Sequence, residues 1–534
     1  MNISNPMIAK LHEEATLGQM LENRATFVGD RTAIIFRDKS WTYDQFNRAV
    51  DRLATGLLDL GVTREDRIAI IMPTRPEFLL MWFAAAKIGC SVVGLNFRYK
   101  REEVIYMVNE AKPRFMFCIN SFAETDYAEF FNDIRDRINS LATFIFLGET
   151  SFAGGVDFES LVQTPADPAR LAAAREGVDP AADHFIIFTS GSTGKPKGAV
   201  LTQKSIMAML RPWAANLELT ENDRMLDVLP LNHVGGGTLC AMGPLGSGAT
   251  LVLHDVFDPV EAMDLIPRLG ITSFGGVPTL FAMLFSHPEF NKQKLAGLQL
   301  IVYGGSAAPA KLLKAMEVHT SASIMACYGS TEVSGFCTYT ARRDPVNKVM
   351  DNTAGRAPEG IDLIIVEPFK RTPVGQGQVG EVAIRGDLLI DRYLNAPDLT
   401  AQSFDKNGWF YTGDMGYLDP DGFLVLVGRY KEMYICGGYN VYPKEIEDTL
   451  VQHTGVAMAA VIGMPHEKMG EVGWAYVMKR PGSNLDAEEL LSLCKQNLAD
   501  YKVPARIIIK DVFPMTALGK IHKPSLQEEA SKEL

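Results

Sequence analysis

Apolar residues recur along this 534-residue chain with two alternating periods. Phe46, Val50, Leu53 and Leu57 return at three- and four-residue spacing, the period of one helix face, with Asp44 as a candidate cap and Gly61 as a stop. Residues 67–72 form a short apolar run closed by Pro73, which predicts a buried strand. A helix over 77–88 and a second apolar run over 91–95 follow. This strand–helix–strand order predicts an α/β fold with a largely parallel sheet. The middle third repeats it, with strands over 250–253 and 298–303 and helices over 259–266 and 310–317. The first of these helices has Asp258 as its cap and Pro259 in its first turn, where proline is tolerated. Residues 164–183, rich in Ala, Pro and Asp, predict a surface connection.

After about residue 351 the texture changes. Turn signals become dense, at Gly375, Gly377 and Gly386, and the DPDG stretch at 419–422 between two apolar runs is a hairpin signal. A small β-rich subdomain is expected there. From about residue 430 a mixed α/β pattern runs to the end, over a length that suits a small domain. The expected organisation is a large N-terminal domain, residues 1–430, of α/β subdomains plus the β-rich subdomain, then a small α+β C-terminal domain, residues 431–534.

Composition changes this picture little, being 47% hydrophobic and 22% charged, as in ordinary globular chains. Charge narrows the partners: a net −12 repels phosphate backbones, which excludes nucleic acid. Seven widely spaced cysteines with no C-x-x-C pair read as reduced thiols, not a disulfide frame or a zinc site. Glu13 and Glu14 stand where a signal peptide needs an apolar core, and Lys87 interrupts the most apolar stretch, residues 78–95. No integral membrane segment and a cytoplasmic location are therefore expected.

Five segments carry candidate chemistry. FIIFTSGSTGKPKG, residues 185–198, runs an apolar strand into a loop of Ser, Thr and Gly with two lysines. Glycines let backbone N–H groups approach an anion, and hydroxyls and lysines add donors and charge, which suits a polyphosphate. The spacing is not that of a Walker A loop, and a Gly/Ser/Thr run by itself also fits a flexible linker. CYGSTE, residues 327–332, offers an aromatic face for a purine, a hydroxyl for a phosphate and a carboxylate for Mg²⁺. GWFYTGD, residues 408–414, places an Asp after a glycine turn, where it can accept two ribose hydroxyls. GRYKE at 428–432, followed by CGGYNVYPKEIE at 436–447, is the fourth, and LGKIHK at 518–523 the fifth. Taken singly, the last four also read as strand-to-loop junctions, turns or solvated surface charge.

In this order and spacing, the five segments resemble the adenylate-forming superfamily of acyl-CoA synthetases, aryl-CoA ligases, luciferases and peptide-synthetase adenylation domains. The resemblance runs from the SWTY stretch at 40–43 to Lys520 and rests above all on the TSGSTGKPKG loop. It implies a two-step reaction: an acid and ATP give an acyl-adenylate and pyrophosphate, then CoA takes the acyl group and AMP leaves. The implied ATP/AMP site is Thr189, Ser190, Gly191, Ser192, Thr193, Gly194 and Lys197 around the phosphates. To these the resemblance adds Gly304, Gly305, Ser306, Tyr328, Gly329 and Ser330 along the adenine and acyl sites, with Tyr328 stacking on the base. Thr331 would meet the α-phosphate, Glu332 would hold Mg²⁺, and Asp414 and Arg429 would hold the ribose. Lys520 resembles the lysine of the adenylation step, and Thr189, His233 and Glu332 complete the implied catalytic set. Lys431 falls at the hinge about which a mobile C-terminal domain turns, and Gly437 and Gly438 at the turn lining the CoA channel.

For the acyl group, His233 matches the aromatic gate of acyl- and aryl-CoA ligases. Val234, Gly235, Cys327, Gly329, Ser334 and Gly335 are the implied pocket, with Trp213, Val277 and Gly304 as further candidates. The implied set is small and apolar, and residues 231–238 hold no Asp to pair with a substrate ammonium, so a hydrophobic medium-chain, alicyclic or aromatic acid is expected rather than an amino acid. The implied partners are that small-molecule acid, ATP and the co-substrate CoA. Self-association as a homodimer is compatible with the sequence. An acyl-adenylating enzyme that loads a carrier-protein phosphopantetheine is the alternative; with no carrier domain fused to the chain, free CoA is the expected acceptor. A catalytically dead nucleotide sensor is disfavoured, because Glu332, Asp414, Arg429 and Lys520 are all present.

Overall fold

The apolar runs become the central strands of two large sheets. The computed structural model describes residues 5–149, 152–189, 196–351, 353–480, 482–515 and 521–533. Arg67–Ile71 pairs in parallel with Ser91–Leu95 and Phe115–Ile119. They belong to an eight-stranded sheet that also contains Asp183–Thr189 and Lys197–Thr202. The second eight-stranded sheet has a parallel centre of Thr32–Phe36, Thr250–Leu253, Arg224–Asp227, Ser273–Gly276, Leu300–Gly304 and Ser323–Tyr328. Strands covered on both faces need apolar side chains on both, which is why they read as continuous runs rather than alternations.

One core joins the facing sides of the two sheets, Ile68, Val92 and Ile187 from one and Met225, Leu251 and Val302 from the other. The helix Pro76–Ile88 lies in that core with every residue but Glu77 buried. Lys87 is tolerated there because Asn47 and Asp51 each meet its Nζ at 2.7 Å and Glu22 at 3.0 Å, so the buried cation is fully paired. Among the described residues, no helix is long and apolar enough to cross a membrane.

Two local expectations change. The helix Tyr43–Asp59 is capped by Thr42, not Asp44: Thr42 Oγ1 accepts from Gln45 N–H and the Gln45 side chain returns the bond to the Thr42 N–H. The Asp44 carboxylate, already inside the first turn, pairs with Arg48 one turn on. The stretch 164–183 is not simply a connection. It holds the helix Pro168–Glu176, nucleated by Asp167 as cap and Pro168 in the first turn, with Leu171 as its buried residue.

The expected β-rich subdomain is a four-stranded antiparallel sheet of Asp362–Val366, Gly380–Arg385, Phe410–Leu418 and Leu424–Arg429, with the DPDG hairpin between the last two. The C-terminal α+β unit has its own sheet, built on Val456–His466 paired with Gly470–Lys479. The helices Pro443–Val451, Ala487–Asn497 and Lys523–Ser531 close two apolar clusters on it.

A titratable pair sits inside the main core. Trp82 Nε1 donates to His184 Nε2 at 2.9 Å, and His184 is 2% exposed. Protonation would put a second donor on Nε2 facing the indole N–H, away from solvent. Burial holds the His184 pKa down at about 4, against an ordinary 6.5. Between those values the unfolded chain binds a proton that the folded chain does not, so this contribution to stability is complete above 6.5 and is lost as the pH falls toward about 4. Urea unfolding should show stability falling across that window. His184→Gln, whose amide oxygen can still accept from Trp82, should flatten the fall.

Candidate active site

Parallel strands of one sheet bring their C-terminal ends to one edge, and the loops leaving that edge carry the candidate residues. Gly304 ends its strand beside Cys327, and Tyr328 ends the next. The following turn, Thr331–Val333, presents Thr331 and Glu332. From the other large sheet, Thr189 ends Asp183–Thr189 and pairs across the hairpin with Lys197. Ser190, Gly191, Ser192, Thr193 and Gly194 fall outside the described residues, as does Lys520.

Glu332 is positioned by a residue that the sequence did not single out. Tyr393, on the short edge strand Arg392–Tyr393, donates its hydroxyl to Glu332 Oε1 at 2.7 Å, and Lys197 Nζ lies 5.7 Å from the centre of the Tyr393 ring. Burial and the Glu332 charge push the Tyr393 phenol pKa up, which keeps it a donor. Burial and the charge of Lys431 lower the Lys197 pKa, and Glu332 opposes them. Lys197, Glu332 and Lys431 thus share one electrostatic neighbourhood although they lie far apart in sequence. Among the described residues, no three His, Cys, Asp or Glu side chains stand together as a self-sufficient metal site. One carboxylate beside Lys197 would suit Mg²⁺, which takes most of its shell from phosphate oxygens and water.

At the other end, three elements meet on Asp414. Tyr328 donates its hydroxyl to Asp414 Oδ2 at 2.7 Å, and Arg429 Nε donates to Oδ1 at 2.9 Å from directly opposite on the neighbouring strand. Thr412 Oγ1 accepts the Asp414 N–H at 3.0 Å. A carboxylate held this way cannot turn.

Glycine is required where the site's backbone closes on itself. A Cβ on Gly329 would stand 2.2 Å from the Gly335 carbonyl oxygen, and one on Gly304 would stand 2.6 Å from Cys327 Sγ. The loop after Arg224–Asp227 carries His233, whose Nδ1 accepts the Gly235 N–H at 3.1 Å, leaving Nε2 to carry the ring proton in the neutral form. The chain then enters a π-helical turn, Gly235–Ala241, an irregularity common at functional sites. Val234 is buried there, and Ser334 is fully buried with its hydroxyl near Ser205 Oγ (2.9 Å) and Leu388 O (2.8 Å). Cys327 is a free thiol whose pKa burial pushes up to about 12. Of the further candidates, Val277 lies 3.4 Å from where a Gly305 Cβ would be, and Trp213 donates to the Leu239 carbonyl at 3.1 Å. Gly305 and Ser306 are exposed beyond their strand, while Gly437 and Gly438 form the positive-φ turn between Tyr434–Cys436 and Tyr439–Val441.

Removing a hydrogen bond to a charged group costs about 1.5–3 kcal/mol. Tyr328→Phe should therefore raise the KM for a nucleoside triphosphate by about tenfold or more while changing kcat less. Tyr393→Phe should lower kcat more than it raises KM if the carboxylate it frees is the one that holds Mg²⁺ against the phosphates.

A family model described as AMP-binding enzyme matches residues 21–394, and the AMP-binding enzyme C-terminal domain matches residues 445–520. The chain is 33% identical to the 3-[(3aS,4S,7aS)-7a-methyl-1,5-dioxo-octahydro-1H-inden-4-yl]propanoyl:CoA ligase of Mycobacterium tuberculosis, over 97% of this chain and 99% of that one. It is also 33% identical to the indoleacetate–CoA ligase of Aromatoleum aromaticum, over 97% and 98%. Its fold matches o-succinylbenzoate coenzyme A synthetase of Bacillus subtilis, solved with ATP and a magnesium ion, with a TM-score of 0.80, 27% identity and coverage of 95% of this chain and 99% of that one. The chain therefore belongs to the AMP-binding enzyme family and stands among its AMP-forming acid–thiol ligases.

Proposed function

We propose that the protein joins a hydrophobic medium-chain, alicyclic or aromatic carboxylic acid to CoA through an acyl-adenylate. The observation that carries this reading is the convergence of Lys197 from one large sheet, Thr331 and Glu332 from beyond a strand end of the other, and the Tyr328–Asp414–Arg429 cluster that joins the second sheet to the small antiparallel one. In the first half-reaction, Asp414 holds the ribose, and Thr189 and Thr331 contact the phosphates. The acid's carboxylate attacks the α-phosphorus in line and pyrophosphate leaves. Negative charge grows on the phosphoryl oxygens, so catalysis is mostly positioning and charge neutralisation. Lys197 supplies part of that neutralisation, Lys520 the mobile part, and Mg²⁺ held by Glu332 supplies the rest when bound.

The second half-reaction has a different need: a thiol must reach the carbonyl carbon from which AMP departs. We place the boundary between the moving parts at 430/431. Lys431 lies in the short turn Tyr430–Glu432, directly after the strand Leu424–Arg429 that holds Arg429 on Asp414. Rotation there exchanges the Lys520 segment for the Gly437–Gly438 turn at the active site.

The acid class follows from what lines the pocket. The implied lining, Val234, Cys327, Gly304, Gly329 and Gly335, is small and apolar, and the acids in the two relatives' names are a bicyclic alicyclic one and an aromatic one. Pyrophosphate release should be measured with aliphatic, alicyclic and aromatic acids, with and without CoA, and the products identified by mass. The expected products are AMP and an acyl-CoA that forms only with CoA. Accumulation of acyl-adenylate whether or not CoA is present would overturn the acceptor and point to a carrier arm.

Two substitutions separate the steps. Lys520→Ala should slow adenylation on the order of 10²-fold or more while sparing thioester formation from supplied acyl-adenylate. Lys431→Pro, which fixes φ at the hinge, should do the reverse. Equal slowing of both half-reactions by Lys431→Pro would remove the hinge from this residue.

A further inference from the structure

Asp227 is an unusual residue for its place. It ends the parallel strand Arg224–Asp227 and is 0% exposed. Leu226 and Val228 belong to the apolar cluster on the outer face of the sheet, whereas Met225 belongs to the core between the two large sheets. Alternation along a strand therefore puts Asp227 on the inner face with Met225. Its register partner on the adjacent strand is Gly275, and two strands across the same sheet lies Gly304.

Those two glycines leave the inner face low. A Cβ on Gly275 would stand 2.5 Å from Cys240 Sγ, as one on Gly304 would stand 2.6 Å from Cys327 Sγ, so both thiols lie against bare backbone. Cys240 feels the charges of both Asp227 and Cys327, so the three side chains are neighbours. Asp227, Cys240 and Cys327 thus form one wall that begins at the acyl-pocket residue Cys327 and runs inward along the sheet.

One oxygen of Asp227 is used and the other is not. Oδ1 accepts the Leu229 N–H at 2.9 Å, whereas among the described residues no group bonds to the buried Oδ2. Burial with no partner on Oδ2 raises the carboxyl pKa and favours the protonated form, and among the described residues no cation offsets it. A neutral acid whose carbonyl oxygen is satisfied by a backbone N–H has one O–H left to donate.

We infer that Asp227 is a specificity residue of the acyl pocket, donating a hydrogen bond from Oδ2 to a carbonyl or hydroxyl oxygen carried on the acid's ring or chain, away from the reacting carboxylate. This rests on the acid–CoA ligase reading and names the substrate class within it: hydrophobic acids that bear one inward oxygen. A buried donor left unpaired by a pure hydrocarbon disfavours that hydrocarbon, which is how polar groups in apolar pockets discriminate.

The test compares acids that differ in one C=O: cyclohexylpropanoic acid with its ring ketone, and octanoic acid with its penultimate-carbon ketone. In at least one pair the unmodified enzyme should favour the oxo acid by about 10- to 100-fold in kcat/KM. Asp227→Asn, which keeps a donor and an acceptor, should retain most of that preference. Asp227→Leu should lose it through a raised KM for the oxo acid and an improved kcat/KM for the hydrocarbon. Equal kcat/KM within both pairs for the unmodified enzyme overturns the inference without any variant and leaves the ligase reading intact. A preference that survives Asp227→Leu also overturns it, making Asp227 a support for the turn at Leu229. Failure to activate any of the four acids, or the wider panel, overturns both readings together.

Discussion

Adenylation asks that a ribose, a triphosphate and a carboxylate be held at once by groups that no short stretch of chain can supply. The constraint met here is that polar groups must gather where backbone already ends in the open, at the C-terminal edge of a parallel sheet. The Tyr328 hydroxyl shows how tightly this is drawn. It leaves the end of a strand of one large sheet and reaches an Asp of the small antiparallel sheet at 2.7 Å, while Arg429 fixes that Asp from the other side. The three residues tie the small subdomain to the main body and orient the Asp414 carboxylate in one stroke. Tyr393 performs the same service for Glu332 from the edge of the other sheet.

The electrostatics follow from that gathering. Lys197 sits with Glu332 and within reach of the Lys431 charge, so two lysines and one carboxylate share a small space. Like charges crowded together raise the energy of the empty site, and a polyphosphate relieves it. Because one of the two lysines stands at the proposed hinge, the relief is tied to where the C-terminal domain sits. In the proposed mechanism, departure of pyrophosphate would remove an anion near both, a physical reason for the domain to turn after the first step and not before.

The acyl side is governed by volume. Gly304, Gly329 and Gly335 occupy places where a Cβ would collide with backbone or a neighbouring side chain, so the pocket's near wall is backbone and sulfur. Such a wall would suit the bulky apolar acids proposed and would discriminate little among them. A lone neutral carboxyl deeper on the same sheet face is the kind of feature that supplies it.

The sequence by itself determined the α/β class, the strands at 67–71, 91–95 and 250–253, the DPDG hairpin and the motif residues in their order, because each rests on local periodicity, turn chemistry or a contiguous pattern. It mistook the cap of Tyr43–Asp59 and passed over Pro168–Glu176, although the T-x-x-Q box and the Asp-Pro start were both present; helix-start signals are short and compete with turn readings. Tyr393 could not be found this way. It stands 61 residues from Glu332, in a short edge strand with no motif of its own. Asp227 was equally silent, one acid in an apolar run, since neither burial nor an unpaired oxygen can be seen before strands are placed side by side. Local grammar chose the elements and the chemistry. Which side chains face one another across the sheets was left to tertiary packing, because hydrogen bonds between distant residues depend on register and on nothing adjacent in the chain.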